Sequence, residues 1–265
     1  MNYGLPTDQQ TNGKDVLQRM DQLQTLASWI KDCDNIVFFG GAGTSTESGI
    51  PDFRSAAGLY QTQHNSPYPP EVMLSRTFFM SSPDIFFDFY RSKMIHPDAR
   101  PNGAHQLLAE LERQGKLKAV ITQNIDGLHQ LAGSQKVLEL HGSIHRNHCM
   151  DCSRYYGLEQ LLSTTDMVPR CPDCGGIIKP DVVLYEEELD HSVLISSVEA
   201  IAAADMLIIG GTSLTVQPAA SLVTYFRGKR TVLLNGDPTP FDDQADLLIT
   251  DRIGKVLGSV KDLLG

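Results

Sequence analysis

Short apolar runs recur along this chain with amphipathic stretches between them, and that alternation predicts most of the fold. Ile36-Val37-Phe38-Phe39, Ala119-Val120-Ile121-Thr122, Val137-Leu138-Glu139-Leu140, Met206-Leu207-Ile208-Ile209, Thr231-Val232-Leu233-Leu234 and Asp246-Leu247-Leu248-Ile249 are too short for helices and largely lack the alternation of a half-wet strand. They read as strands of a parallel sheet buried on both faces. Val16, Met20, Leu23, Ala27 and Ile30 recur at helical spacing. Helical patterns also cover His105 to Arg113, Val193 to Ala204, Pro218 to Phe226 and Ile253 to Leu264. The alternation predicts an α/β fold with a doubly wound sheet.

Two stretches break the pattern. Residues 61–101 contain the aromatic cluster Phe78, Phe79, Phe86, Phe87, Phe89 and Tyr90 and predict a helical insertion with its own apolar interior. Residues 145–180 hold Cys149-Met150-Asp151-Cys152 and Cys171-Pro172-Asp173-Cys174, separated by 18 residues. Two Cys-x-x-Cys pairs at this spacing predict a zinc ribbon, in which four thiolates saturate one tetrahedral ion and leave no position for substrate. The metal is expected to be one structural zinc; His148 is an alternative ligand, and a redox role for either pair would leave the other unexplained. The expected organisation is a Rossmann-like domain over residues 15–60, 102–144 and 181–265, a small domain made of the insertion and the zinc ribbon, and a loose tail over residues 1–14.

Composition narrows the setting. A hydrophobic share of 41% and a charged share of 20% are those of an ordinary globule, and no apolar run approaches the ~20 residues that span a bilayer. The polar opening Met1 to Gln10 lacks the basic and apolar regions of a signal peptide, so the expected location is cytoplasmic and no membrane partner is expected. A formal net charge of −10 opposes direct nucleic-acid binding and suits lysine-rich partners.

The chemistry concentrates at strand ends. Gly40-Gly41-Ala42-Gly43-Thr44-Ser45-Thr46 follows the first strand, where a turn into a helix N-terminus would offer free N–H groups to phosphate. The third glycine of the usual dinucleotide fingerprint is absent, Thr46 standing in its place. Gly49-Ile50-Pro51 cuts the helix short and sends Asp52, Phe53 and Arg54 out as a cover over the ligand. Gln123, Asn124 and Asp126, His141, Gly211-Thr212-Ser213 and Asn235 follow four other strands, on the edge where open α/β sheets bind ligands. Helix capping, a satisfied buried histidine or turn formation would explain each singly; the functional reading rests on their agreement.

Taken in order, Gly41-Ala42-Gly43 to Asp52-Phe53-Arg54, Thr122-Gln123-Asn124-Ile125-Asp126, His141-Gly142, the four cysteines and Gly211-Thr212-Ser213 resemble the sirtuins, NAD-dependent protein lysine deacylases, over roughly residues 15–260. The resemblance implies that the glycine loop, Thr46 and Arg54 hold the pyrophosphate, that Phe53 shields the reacting ribose, and that Asn124, Ile125 and Asp126 surround ribose and nicotinamide. Thr212, Ser213, Asn235 and Ile253 would hold the adenosine end, and His141 would be the general base. It implies attack of the acyl-lysine oxygen on C1′, release of nicotinamide, and transfer of the acyl group to ADP-ribose, with NAD consumed.

Lys179-Pro180-Asp181-Val182-Val183-Leu184-Tyr185-Glu186-Glu187 resembles the family's substrate strand, which commonly ends in Phe-Gly-Glu; here Glu186 replaces the glycine. Val183 and Tyr185 on one side and Leu214, Thr215 and Val216 on the other would pair with an acetyl-lysine peptide as an added strand, Glu186 facing either its basic neighbours or solvent. Tyr90-Arg91-Ser92-Lys93 stands where family members that prefer acidic acyl chains carry Tyr-x-x-Arg, which favours acetyl over succinyl. Protein ADP-ribosyl transfer and non-catalytic NAD or acyl-lysine binding are the competing readings.

Overall fold

The computed structural model describes residues 13–53, 58 and 68–265. The expectations for residues 1–12 and for Arg54 lie outside the described residues. Helix α1 (Gly13–Asp32) leads into β1 (Ile36–Gly40), followed by 3-10 turns at Ala42–Thr44 and Thr46–Ser48. Helices α2 (Pro70–Met73), α3 (Arg76–Ser81) and α4 (Pro83–Lys93) belong to the insertion, and α5 (Gly103–Arg113), β2 (Leu117–Thr122), α6 (Leu128–Ala132) and β3 (Val137–Glu139) return to the sheet. Then come β4 (Gly142–Cys149), β5 (Tyr155–Gly157), α7 (Leu158–Leu162) and β6 (Ile178–Val182). The chain closes with α8 (His191–Ala203), β7 (Met206–Gly210), a 3-10 helix over Ala219–Tyr225, β8 (Arg230–Leu234), β9 (Leu247–Ile249) and α9 (Ile253–Leu264).

Each of the six apolar runs forms one strand of a parallel sheet ordered β3-β2-β1-β7-β8-β9. The period-two side-chain alternation then divides the core. Phe38, Val120 and Ile208 meet Leu26 of α1, Leu107 and Leu108 of α5, and Val256 and Leu257 of α9 on one face. Val37, Phe39 and Ile209 meet Ile201 of α8 and Leu222 and Val223 of the 3-10 helix on the other. Each buried leucine or phenylalanine contributes about 1.5–3 kcal/mol by leaving water, so both faces hold the sheet.

Strand order reverses between β1 and β7, the switch point at which chains leave the sheet in opposite directions and open a crevice beyond the strand ends. Above it sits a three-stranded antiparallel sheet, β5-β4-β6. The insertion aromatics do not close a core of their own. Phe79, Phe86, Phe87 and Tyr90 pack with Ile144, Tyr156, Leu161 and Ile178 of the cysteine-bearing segment, and Phe79 and Phe87 meet Phe86 edge-on with centroids at 4.9 and 5.3 Å. Among the described residues no helix is long and apolar enough to cross a membrane.

The expected helix after the glycine run does not form. Two short 3-10 turns replace it, so no extended helix dipole points into the crevice. Gly49 ends the second turn at φ +86°, which a glycine adopts without strain. The stretch expected as a helix from Pro218 is the 3-10 helix Ala219–Tyr225.

Candidate active site

The strand ends are knitted together by backbone bonds before any side chain is considered. Gly41 N–H donates to Gly210 O at 3.2 Å, Gly43 N–H to Gly211 O at 2.8 Å, and Gln123 N–H to Gly40 O at 3.0 Å. The glycines permit this closeness. A Cβ on Gly43 would lie 2.7 Å from Gly211 Cα, and one on Gly41 would lie 2.9 Å from Gly211 O. Their bareness therefore serves loop-on-loop packing, whereas the sequence suggested only close approach of a ligand.

Beyond these ends lies a cleft of about 470 Å³, a size suited to a cofactor or substrate. Gly41, Ala42, Gly43, Asp52, Phe53, Gln123, Asn124, Ile125, Asp126, His141, Val183, Tyr185, Gly211, Thr212, Ser213, Val216 and Asn235 all line it. Thr46 is exposed and turns its hydroxyl to Gly43 O at 3.0 Å, while Leu214 and Thr215 stand beside the cleft without lining it. Ile253 is buried against Gly210 at the end of β7 and is not among the residues that line the cleft.

A hydrogen-bond chain orders the polar wall. Asn124 Nδ2 donates to Ser45 Oγ at 3.1 Å, Ser45 Oγ donates to Asp126 Oδ2 at 2.6 Å, and Asp126 Oδ1 accepts from Leu128 N at 2.9 Å. Ser45, 1% exposed, is the link that sequence reasoning passed over. Its place in the glycine run was the only available signal. Gln123 is committed elsewhere, its amide donating to Thr212 Oγ1 at 3.0 Å, which ties the end of β2 to the loop after β7.

His141 directly follows Leu140, whose N–H donates to Thr122 O at 2.9 Å. Its Nδ1 lies 3.0 Å from Gln123 O. A carbonyl only accepts, so Nδ1 carries the proton and Nε2 keeps its lone pair. Burial pulls the imidazole below its ordinary pKa, partly offset by the bond to Gln123. The group is thus a neutral, oriented base at neutral pH. Val183 N–H donates to His141 O at 3.0 Å, which seats the segment after β6 along the same wall.

The sulfur atoms of Cys149, Cys152, Cys171 and Cys174 all lie within 4.8 Å of one another, with Cys149–Cys174 at 3.4 Å and Cys152–Cys171 at 3.7 Å. Zinc with Zn–S bonds of ~2.3 Å requires thiolates about 3.8 Å apart, so these four suit a tetrahedral site. His148 is not part of the cluster; its ring faces Tyr155 at 5.6 Å. None of the four cysteines lines the cleft, which fits a metal that shapes the protein without touching substrate.

Comparison with known proteins is consistent with this geometry. Residues 41–218 match the model of the Sir2 family. A Clostridium acetobutylicum protein named NAD-dependent protein deacetylase is 59% identical over 241 residues, covering 91% of this chain and 98% of its own length. A solved Sir2 structure with a deacetylated p53 peptide and 3′-O-acetyl ADP ribose superposes with a TM-score of 0.83 at 36% identity, covering 91% of this chain and 98% of the other. Another, of Sir2 with a p53 peptide and NAD+, reaches 0.81 at 37% identity, again covering 91% and 98%. By the match of its family model, the near full-length likeness to such relatives and the parallel sheet that carries the cleft, this chain belongs to the Sir2 family.

Proposed function

We propose that the chain is an NAD-dependent protein lysine deacetylase that yields nicotinamide, O-acetyl-ADP-ribose and free lysine. The observation that carries the reading is His141, tautomer-fixed by Gln123 O, lining one cleft with Asn124, Asp126 and the segment Val183 to Tyr185. Pure binding has no need for a base held in this way.

In this reading Gly41, Ala42, Gly43, Thr212, Ser213 and Asn235 line the NAD side of the cleft, and Asp52 and Phe53 cover it. Asn124 and Asp126, held through Ser45, position the nicotinamide ribose, while Val183, Tyr185 and Val216 border the peptide. The acetyl-lysine oxygen attacks C1′ as nicotinamide departs. His141 Nε2 takes the proton of a ribose hydroxyl, and the freed oxygen attacks the former amide carbon. Water completes cleavage of the C–N bond, so that lysine leaves as the free amine and the acetyl group stays on ADP-ribose. Cys149, Cys152, Cys171 and Cys174 would hold a structural zinc, which supplies a cross-link between the two cysteine loops. The small-domain assignment for residues 61–101 and 145–180 rests on the shared packing of described insertion and cysteine-segment residues.

An acetyl preference follows from the insertion. Tyr90 is 1% exposed and stacked on Phe86 at 5.6 Å, so of the pair Tyr90 and Lys93 only Lys93 borders the cleft. A lone ammonium gives an acidic acyl chain no bidentate partner.

The reading is tested with His141→Ala. Loss of a positioned general base should lower turnover by roughly 10²–10⁴-fold, while NAD affinity by calorimetry stays within about twofold. Near-normal deacetylation in this variant would sink the assignment.

A further inference from the structure

Glu186 occupies a backbone position that few side chains tolerate, at φ +75°, in the left-handed region that favours glycine. It lies within a turn in which Glu187 N–H donates to Leu184 O at 3.0 Å and Glu187 Oε2 accepts from Leu184 N at 2.9 Å. Strained backbone of this kind persists only where the surroundings hold it.

The surroundings here are the helical insertion. Tyr185 N–H donates to Leu74 O and Arg76 N–H to Tyr185 O, both at 3.0 Å. Glu186 Oε2 accepts from Thr77 N at 2.9 Å and from Thr77 Oγ1 at 2.7 Å. Glu187 accepts from Arg76 Nη1 at 3.0 Å and Lys179 Nζ at 3.1 Å. At its other end the segment is tied to His141 through Val183. The Glu186 carboxylate is thus spent on the first turn of α3, where the sequence left it facing either a peptide or solvent.

We propose that Glu186 is a positioning residue that clamps the peptide-binding segment 183–187 to the insertion and so sets affinity for the acylated peptide without affecting NAD. The proposal rests on the deacetylase reading of that segment. A segment ordered in advance loses less freedom when a peptide strand docks on it. An exposed carboxylate contributes little to global stability, so its effect is local.

Glu186→Gly removes the carboxylate and relieves the strained φ together, which keeps the fold intact. We expect the peptide KM to rise about 3–10-fold, with kcat and the NAD KM within about twofold and no fall in Tm. Thr77→Val should raise the peptide KM less, and the double variant should be no worse than Glu186→Gly alone, because both changes break one contact. An unchanged peptide KM, or additive effects, would overturn the clamp. So would a loss confined to peptides with lysine or arginine beside the acetyl-lysine, since that would assign Glu186 to direct contact with the substrate. Absence of turnover in the unsubstituted chain would count against the deacetylase reading alone; the clamp is then read from the affinity of a fluorescent acetylated peptide, which Glu186→Gly should weaken by the same factor.

Discussion

His105 and His129 form a buried pair, ring centroids 4.7 Å apart, at 0% and 1% exposure. Their rings have little to bond to. His105 Nδ1 accepts from Asn102 N at 3.3 Å and caps α5, but its Nε2 and both nitrogens of His129 have no partner among the described residues. Burial pushes His105 down to about 4, opposed by the Asp126 charge, and holds His129 well below its usual value, with His105 adding to the effect. The sign follows directly. Between the unfolded value of ~6.5 and about 4, the unfolded chain binds protons that the folded chain refuses, so stability is full above that window and lost as pH falls through it. Thermal melts should show Tm falling steadily from pH 6.5 to 4, and a flat Tm across that range would count against the buried neutral pair. At this scale the sequence was legible where a residue followed a strand, as with Asn124, Asp126 and His141. It was opaque for Ser45, whose placement depends on partners 79 or more positions away.

The central strands β1, β7 and β8 could be read as elements because both faces are buried and the runs are almost continuously apolar, and β2, β3 and β9 followed as shorter or less buried runs of the same kind. The turn after β1 could not. Local pattern favoured a helix, but the loop must lie flat on the one after β7, and Gly211 at φ +60° has Thr44 N where its Cβ would stand. Asn102 adds a second constraint, donating from Nδ2 to Thr44 O at 2.8 Å and Ser48 Oγ at 2.9 Å. Glu47 Oε2 accepts from Gly254 N at 2.6 Å, so the N-terminus of α9 is capped from within this turn. Gly211→Ala should therefore lower stability by about 1–3 kcal/mol, the usual cost of overpacking and a strained φ. Chemical denaturation would measure it, and the variant should also bind NAD more weakly because the floor of the cleft has moved. A neutral substitution would show that the two loops have room to part.

At the scale of the whole molecule, the cleft lies between the parallel sheet and the lobe that gathers the insertion aromatics around the cysteine segment. The cysteine spacing announced that segment; its sharing of one apolar interior with α3 and α4 was hidden, because those contacts join residues more than 50 positions apart. Cys149 and Cys171 are buried in that interior, so the metal and the aromatics support the same lobe. Elemental analysis should find one zinc per chain, and Cys171→Ser should abolish it and lower the peptide turnover far more than NAD affinity. Full activity without zinc would remove its structural role.

The central claim is a reaction, and its products decide it. The purified chain is incubated with NAD and an acetylated lysine peptide, and nicotinamide, the peptide and the ADP-ribose species are quantified by mass. Our account predicts one O-acetyl-ADP-ribose and one free-lysine peptide for each nicotinamide released. Nicotinamide matched by ADP-ribose attached to protein, or no nicotinamide at all, would contradict it.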